Sequence, residues 1–337
     1  MITQSLFKNK TILITGGTGS FGKCFTNILL NNFSIKKLII FSRDEMKQWH
    51  MMQKLKSEKV KFVIGDVRDE SSLINASKNV DFIIHAAATK IVPTAEINPF
   101  ECIKTNIIGA QNVITAAKIN KIKKTVALST DKACNPINLY GASKLASDKL
   151  FVAANYSLQK LNSKFAVVRY GNVIGSRGSI IPFFLEKKKE NIFPITHPEM
   201  TRFLITLEQG VDLVFLAFKD MIGGELYVSK IPSVKIKELP YSISKNPKIK
   251  LIGIRPGEKI HEKMISADDS FFTYEYKNYY KILPNYLNKK ELRKYIKNGK
   301  LVKNGFSYSS DNNKNWVTST QINKYIEIVK QNLKLDS

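Results

Sequence analysis

The first half of the chain alternates between short apolar, β-branched runs and longer stretches of helical spacing. The runs are TILIT from residue 11, LIIF (38–41), VKFVIG (60–65), VDFIIH (80–85), TVALS (125–129) and FAVVRY (165–170). Runs of this length and composition are those of buried strands, and GASKLASDKLFVAANY (141–156) typifies the helical stretches between them. Six parallel strands with helical crossovers imply an α/β fold built on a doubly wound parallel sheet. After YGNVIGSRGSIIPFF (170–184) the alternation stops, and glycines and polar residues point to loops over the carboxyl edge of the sheet. The expected division is therefore 1–170 for a nucleotide-binding domain and 171–337 mainly for a smaller substrate lobe. The apolar helix LEQGVDLVFLAF (207–218) is expected to return to the first domain, and YVSK (227–230) and the basic turn IRPGEK (254–259) to complete the lobe.

The first strand runs into a glycine-rich turn and then a helix, TILITGGTGSFGKCFTNILLNNF (11–33). Gly16, Gly19 and Gly22 are spaced for a tight turn, a close backbone approach to a pyrophosphate and close helix packing, with the anion on the helix N-terminus. An NAD(P)-binding Rossmann domain is expected, with Thr18, Ser20, Phe21, Lys47 and Val67 included in the cofactor site. At the end of the second strand stand Ser42 and Arg43, where a NAD site usually shows an acidic residue. An arginine there can neutralise a 2′-phosphate, so NADP is expected before NAD, although Asp44 next door keeps NAD open. Asp66 can accept from the adenine amino group or cap a helix in GDVRDE. Ala86, Ala87 and Ala88 leave room for a cofactor to cross the backbone, or simply pack.

The densest chemistry lies in TDKACNPINLYGASK (130–144), between a strand and a helix. Tyr140 and Lys144, four apart, share one helix face. An ammonium beside a phenol favours the phenolate, which would make Tyr140 a base nearer neutrality.

Composition adds little and excludes some classes. The chain has 337 residues, 43% hydrophobic and 24% charged, ordinary for a globular protein. No apolar run reaches the ~20 residues of a membrane span, and MITQSLFKNK has no signal-peptide core, so a cytoplasmic location is expected. Cys24, Cys102 and Cys134 suggest neither disulfides nor a zinc knuckle, and HEKM (261–264) lacks the second histidine of a zinc helix, so no metal site is expected. The formal charge of +25 comes from lysines spread along the chain and reads as a solvated surface, with no nucleic-acid partner. Of seven arginines, Arg43, Arg68, Arg169, Arg177, Arg202 and Arg255 fall at or beside motif-like positions.

TGGTGSFG, HAAATK, TNIIGAQNV and YGASK together resemble the extended short-chain dehydrogenase/reductase family. STDKACNPINLYGASKL, VVRYGNVIGSRGSIIPFF, EMTRFLITLEQGV and RPGEKIHEKMIS are similar, more narrowly, to the soluble, C5-inverting UDP-N-acetylglucosamine 4,6-dehydratases that open pseudaminic acid synthesis. The likeness runs from about residue 5 to 270, and the tail, with FSYSSDNN (306–313) and a closing helix from about Ser319, agrees only loosely. The resemblance implies a UDP-sugar pocket lined by Lys90, Tyr140, Asn172, Arg177, Gly178, Ser179, Thr201, Arg202, Arg255 and Glu258, with arginines on the diphosphate. Lys90, Asn172, Tyr140 and Lys144 would also touch the cofactor. It further implies homo-oligomers, dimers or hexamers.

On that footing Tyr140 removes the 4-hydroxyl proton as C4 gives up hydride, and the resulting 4-ketone acidifies C5. Lys132, kept partly neutral by burial or neighbouring positive charge, takes the C5 proton. Asp131 protonates the leaving 6-hydroxyl, with Thr130 and Ser129 orienting that oxygen. In the C5-retaining relatives the acid is followed by Glu, so Asp131-Lys132 favours inversion. A UDP-sugar 4-epimerase needs the same Tyr-Lys pair but no acid, and a dehydratase with epimerising side activity stays open. A catalytically idle Rossmann protein that senses NADP or binds nucleic acid is the alternative from another class.

Overall fold

The computed structural model describes residues 4–157, 163–176 and 179–336. The apolar runs form β1 (Thr11–Thr15), β2 (Lys37–Ser42), β3 (Val60–Ile64), β4 (Phe82–His85), β5 (Lys124–Thr130) and β6 (Lys164–Tyr170). Between them lie α1 (Ser20–Asn32), α2 (Glu45–Leu55), α3 (Glu70–Ala76), α4 (Gly109–Ile119) and α5 (Leu139–Ser157). All six strands pair in parallel, in the order β3-β2-β1-β4-β5-β6. The order reverses between β1 and β4, and the crevice outside the carboxyl ends of strands at such a switch point is where open sheets bind ligands.

Two helical layers cover the sheet. Alternate residues of a strand face opposite ways, and on β4 the Phe82 ring meets Phe7 and Phe218 while the His85 ring meets Phe151 of α5. The Phe7 side is filled by α1 and α6 (Leu207–Asp220), which pack together through Phe25, Phe33 and Phe215. α3, α4 and α5 pack in turn on the other.

The sheet is larger than the sequence pattern implied. Leu226–Ser229 (β7), expected in the substrate lobe, is a seventh parallel strand beside β6. Three antiparallel strands, β8 (Thr273–Glu275), β9 (Tyr279–Ile282) and β10 (Lys300–Leu301), extend it to ten. Four residues of mixed polarity carry no signal of a central strand, and Tyr227 and Val228 are buried because β9, some fifty residues later, covers the far edge.

A second apolar cluster lies outside this core. Strands Asn172–Val173, Thr201–Ile205 and Ser233–Lys235 form a small sheet. Helix Ile180–Glu186 and the closing helix Ser319–Asp336 pack with it through Phe184, Leu204, Val234, Ile326 and Val329. No helix among the described residues is long and apolar enough to cross a membrane.

Candidate active site

The turn after β1 is shaped for a dinucleotide. Gly16 has φ +65°, and a Cβ there would lie 2.9 Å from the Ala87 backbone; one on Gly22 would lie 2.2 Å from the Gly17 oxygen. Without side chains, the loop, the start of α1 and the Ala86-Ala87 edge draw together at the switch point. The N-cap of α1 is Gly19, which supplies no side-chain acceptor, so the first-turn N–H groups are left for an anion. Thr18 is bonded to Ser42 through their hydroxyls at 2.9 Å, which joins this loop to the end of β2. Ser20 and Phe21 open α1, half-buried, and Ala88 and Lys90 lie exposed at the other lip. The glycine turn, the start of α1, Ser42 and the Ala86-Ala87 edge are thus brought together, an arrangement with room and free N–H groups suited to a dinucleotide.

At the carboxyl end of β2 Asp44 caps α2, its Oδ1 accepting from the Lys47 N–H at 2.9 Å while Oδ2 pairs with the Lys47 ammonium. Arg43 is exposed, 3.8 Å from Asp66. Asp66 is not a helix cap: it accepts from the Arg68 main chain at 3.0 Å and from its guanidinium at 2.6 Å, and Asp69 caps α3 instead. Val67 is buried, its carbonyl held by Asn112 at 2.9 Å.

β4 is fixed from behind. The Thr15 hydroxyl meets His85 Nδ1 at 2.9 Å and accepts from the Ala86 and Ala87 N–H groups. Asn106, in a π-helical turn (Lys104–Ile108), both donates to and accepts from the Thr89 main chain at 2.9 Å, and donates to the Ser143 hydroxyl at 2.9 Å. It ties the loop after β4 to α5. Burial, helped by Lys144, lowers the His85 imidazole from 6.5 to about 3. An unfolded chain therefore binds a proton that the folded chain refuses, so this stability is present above pH 6.5 and is lost as pH falls toward 3. Between pH 7.5 and pH 5 the loss from this group is expected to be about 2 kcal/mol. Urea titrations of wild type and His85→Gln should show it as a steeper fall in the wild type; parallel curves would contradict it.

The turn Asp131–Ala133 follows β5 directly, and residues 134–138 connect it to α5. It lies so close over the helix start that a Cβ on Gly141 would be 2.3 Å from the Lys132 oxygen. Asp131 is 1% exposed and accepts from the Thr130 hydroxyl at 3.0 Å and from Lys132 Nζ at 3.1 Å. Lys132 Nζ also lies 3.0 Å from Glu262 Oε1, and its side chain is 23% exposed. Burial raises the Asp131 carboxyl; Lys132 pulls it back and Glu262 adds to the rise.

Two expectations about charge are corrected here. Lys132 is not kept neutral: burial disfavours its ammonium, but Asp131 and Glu262 outweigh that and raise its pKa above the ordinary lysine value. Nor is the Tyr140 phenol lowered by its Lys144 neighbour. Burial pushes it up to about 12, against the pull of Lys132 and of a Thr130 hydrogen bond. Burial lowers the Lys144 amine, which Asp148 partly offsets.

Ser129 is corrected as well. Its hydroxyl points to the α5 side and donates to Asp148 Oδ2 at 2.7 Å, away from any leaving group. Asp148 also holds Arg169 NH2 at 3.1 Å, and Arg169 NH1 bonds the Met264 carbonyl at 2.9 Å.

The segments after residue 170 bring part of the expected substrate set to this turn. Arg202 reaches it but is occupied, donating to the carbonyls of Thr201, Lys259 and Ile260 at 2.7–2.9 Å, with Glu258 at 3.5 Å. It pins the 254–259 turn in place and does not stand open to a diphosphate. Thr201 is buried, its hydroxyl shared with His261 Nδ1 and Ser310, so it is a scaffold residue. The pinned turn is further held by Asn138 on the Gly257 carbonyl and Lys259 on the Cys134 carbonyl, both at 2.7 Å. Arg255 is exposed on it. Asn172 and Ser179 lie half-buried at the lobe's near edge, with Asn172 Oδ1 and Ser179 Oγ bonded to no described residue. Arg177 and Gly178 lie outside the described residues.

Glu262, Asp148 and Asn106 were not foreseen. Glu262 lies in RPGEKIHEKMIS, which carried the family resemblance and a failed zinc motif but no role for this residue, and its one hint was an acid between basic neighbours in KIHEK. No group of three or more metal-ligating side chains occurs among the described residues.

The parallel sheet with its switch-point glycine turn and Tyr140/Lys144 helix defines a nucleotide-dependent enzyme of the extended short-chain dehydrogenase/reductase class. The family model described as polysaccharide biosynthesis protein matches residues 12–284, and the chain belongs to that family. It is 54% identical, over 94% of its length and 97% of the relative's, to the UDP-N-acetylglucosamine 4,6-dehydratase (inverting) of Campylobacter jejuni. It is 47% identical to the UDP-glucose 4-epimerase of Rickettsia bellii, over 82% of this chain and 84% of that one. Among solved structures, Pen from Bacillus thuringiensis matches with a TM-score of 0.87 and 35% identity, covering 97% and 99% of the two chains. DesIV, a dTDP-glucose 4,6-dehydratase from Streptomyces venezuelae with NAD bound, shares the fold at a TM-score of 0.67 and 20% identity, over 74% and 86%.

Proposed function

We propose that the chain is a UDP-N-acetylglucosamine 4,6-dehydratase that inverts C5, a hydro-lyase. The observation that carries this is the buried Asp131 bonded to Lys132, whose side chain is 23% exposed, next to Tyr140. A 4-epimerase, the name carried by the Rickettsia relative, moves hydride off C4 and back to C4 and has no use for an acid and an amine in contact.

A nicotinamide dinucleotide held by the glycine turn and the Ala86-Ala87 edge would supply the hydride chemistry, accepting hydride from C4 of the sugar and returning it to C6. Tyr140 accepts the 4-hydroxyl proton. With its phenol at about 12 in the free protein, it needs the added positive charge of the loaded site to do so near neutrality. The 4-ketone makes the C5 hydrogen acidic. Lys132 takes that proton, Asp131 gives one to the 6-hydroxyl, and water leaves; the hydride added at C6 is matched by a solvent-derived proton that reaches C5 from the opposite face, which inverts it. Thr130 fixes Asp131 by its 3.0 Å hydrogen bond. Lys90, Asn172, Arg177, Gly178, Ser179, Arg255 and Glu258 are proposed to hold the UDP-sugar, with Arg202 acting through the turn it pins.

NADP is the proposed cofactor in preference to NAD. Asp44 is engaged as a helix cap and by Lys47, so it is a poor partner for a ribose 2′-hydroxyl, while the Arg43 guanidinium is exposed beside Ser42. Arg43→Ala is expected to weaken NADP by about 10- to 100-fold, the worth of a charge-assisted hydrogen bond, and to change NAD little. Calorimetric titration with both cofactors checks this, and equal losses would count against a 2′-phosphate contact. A homo-oligomer is also proposed, since Ile97, Phe100 and Ile108 are exposed together along 92–108.

Incubation of the purified protein with UDP-N-acetylglucosamine tests the function. A product lighter by one water supports it, and the 4-epimer alone would refute it.

A further inference from the structure

Lys132 touches two carboxylates, and only one belongs to the proposed reaction. Glu262 approaches from the segment after the pinned turn, its Oε1 3.0 Å from Lys132 Nζ and 3.9 Å from Arg202 Nε. It is held firmly: its N–H donates to the Ser310 hydroxyl at 2.9 Å, and its carbonyl accepts from the Ser310 N–H at 2.8 Å and the Ser309 hydroxyl at 3.2 Å. Its side chain is 2% exposed, and Oε2 bonds no described residue, as is also true of Asp131 Oδ2. The cost of burying this carboxylate is offset by the Lys132 and Arg202 charges beside it.

We propose that Glu262 is a positioning residue for the elimination, holding Lys132 in line with Asp131 and setting the charge that the Asp131–Lys132 pair shares. The inference rests on the dehydratase reading. In the resting pair the proton sits on Lys132 and Asp131 is ionised. Moving it along the 3.1 Å hydrogen bond gives an amine and a carboxylic acid, the base and the acid that the elimination requires. The amine then takes the C5 proton, the C5–H electrons form the C5–C6 double bond, the C6–O bond breaks, and the oxygen leaves as water with the Asp131 proton. Lys132 ends as ammonium and Asp131 as carboxylate, as they began. Glu262 stays ionised throughout, with Lys132 and Arg202 overcoming the effect of burial to hold it below the ordinary carboxyl range.

The active pair carries one proton. It fails at low pH, when Asp131 takes a second, and at high pH, when Lys132 loses the only one. The Glu262 charge raises both limits; the other groups facing the pair are Arg202, Lys259 and Tyr140. Glu262→Gln is therefore expected to lower kcat at least tenfold with little change in KM, and to slide the whole bell of kcat/KM against pH to lower pH by about 1–3 units. Glu262→Asp, which keeps the charge but withdraws it, should shift the bell in the same direction by less. If the glutamine variant does not fold, the aspartate variant is read alone. Limbs that stay where the wild type has them, whatever the rate, would overturn the proposal. A wild type that forms no dehydrated product would instead refute the dehydratase reading, so the two failures are told apart.

Discussion

Asp131→Asn is expected to lower kcat for dehydration by about 10² to 10⁴-fold, the usual contribution of a positioned general acid, without unfolding the protein. The amide keeps the oxygen that Thr130 and Lys132 now donate to at 3.0 and 3.1 Å, so the turn should survive. What it loses is the proton for the departing 6-hydroxyl. Tyr140 and Lys144 are untouched, so oxidation at C4 should still occur, and absorbance of the reduced cofactor should accumulate in a single turnover instead of passing through a transient. A variant that loses both the transient and the product would show that Asp131 is needed before the elimination. One with less than about a tenfold loss would show that it is not the acid.

The largest expected effect on stability lies behind the same turn. Asp148 and Arg169 are each 4% exposed, and Asp148 carries the Ser129 hydrogen bond as well. Removing one partner of a buried ion pair leaves the other charge without compensation, at a cost of about 3–5 kcal/mol. Asp148→Asn should lose about that much in urea unfolding. Asp148→Asn/Arg169→Met, which removes the stranded guanidinium, should recover most of it, because an apolar replacement of a buried pair is often near neutral. If the double variant is as unstable as the sum of the two single ones, the pair is not coupled. Because Asp148 also opposes the lowering of Lys144, the single variant should make that amine easier to deprotonate.

These two sites mark what could be read from the chain and what could not. The strands, the glycine turn and the Thr130–Lys144 stretch were legible because their signals are local: apolar runs, fixed spacings, neighbours in sequence that remain neighbours in the fold. The charge of Lys132 was not, since it depends on Glu262, brought 130 residues along the chain by a turn that Arg202 pins. Ser129 and Thr130 look alike in sequence, yet one faces Asp148 and the other Asp131, and only the pleat of β5 separates them. Thr201 and Arg202 lay in a motif and proved to be buried scaffold, because their partners, Ser310 and the 259–260 carbonyls, arrive from the tail and from the turn. β7 was misplaced for the same reason: half of its environment is β9.

Proton NMR of the product formed from UDP-N-acetylglucosamine in deuterated water tests most directly whether Lys132 and Asp131 carry out an elimination with inversion. The expected product is a 4-keto-6-deoxy sugar with one solvent deuterium at C5, in the configuration opposite to that of the substrate. Retention at C5, or a 4-epimer with no solvent deuterium at all, would contradict it.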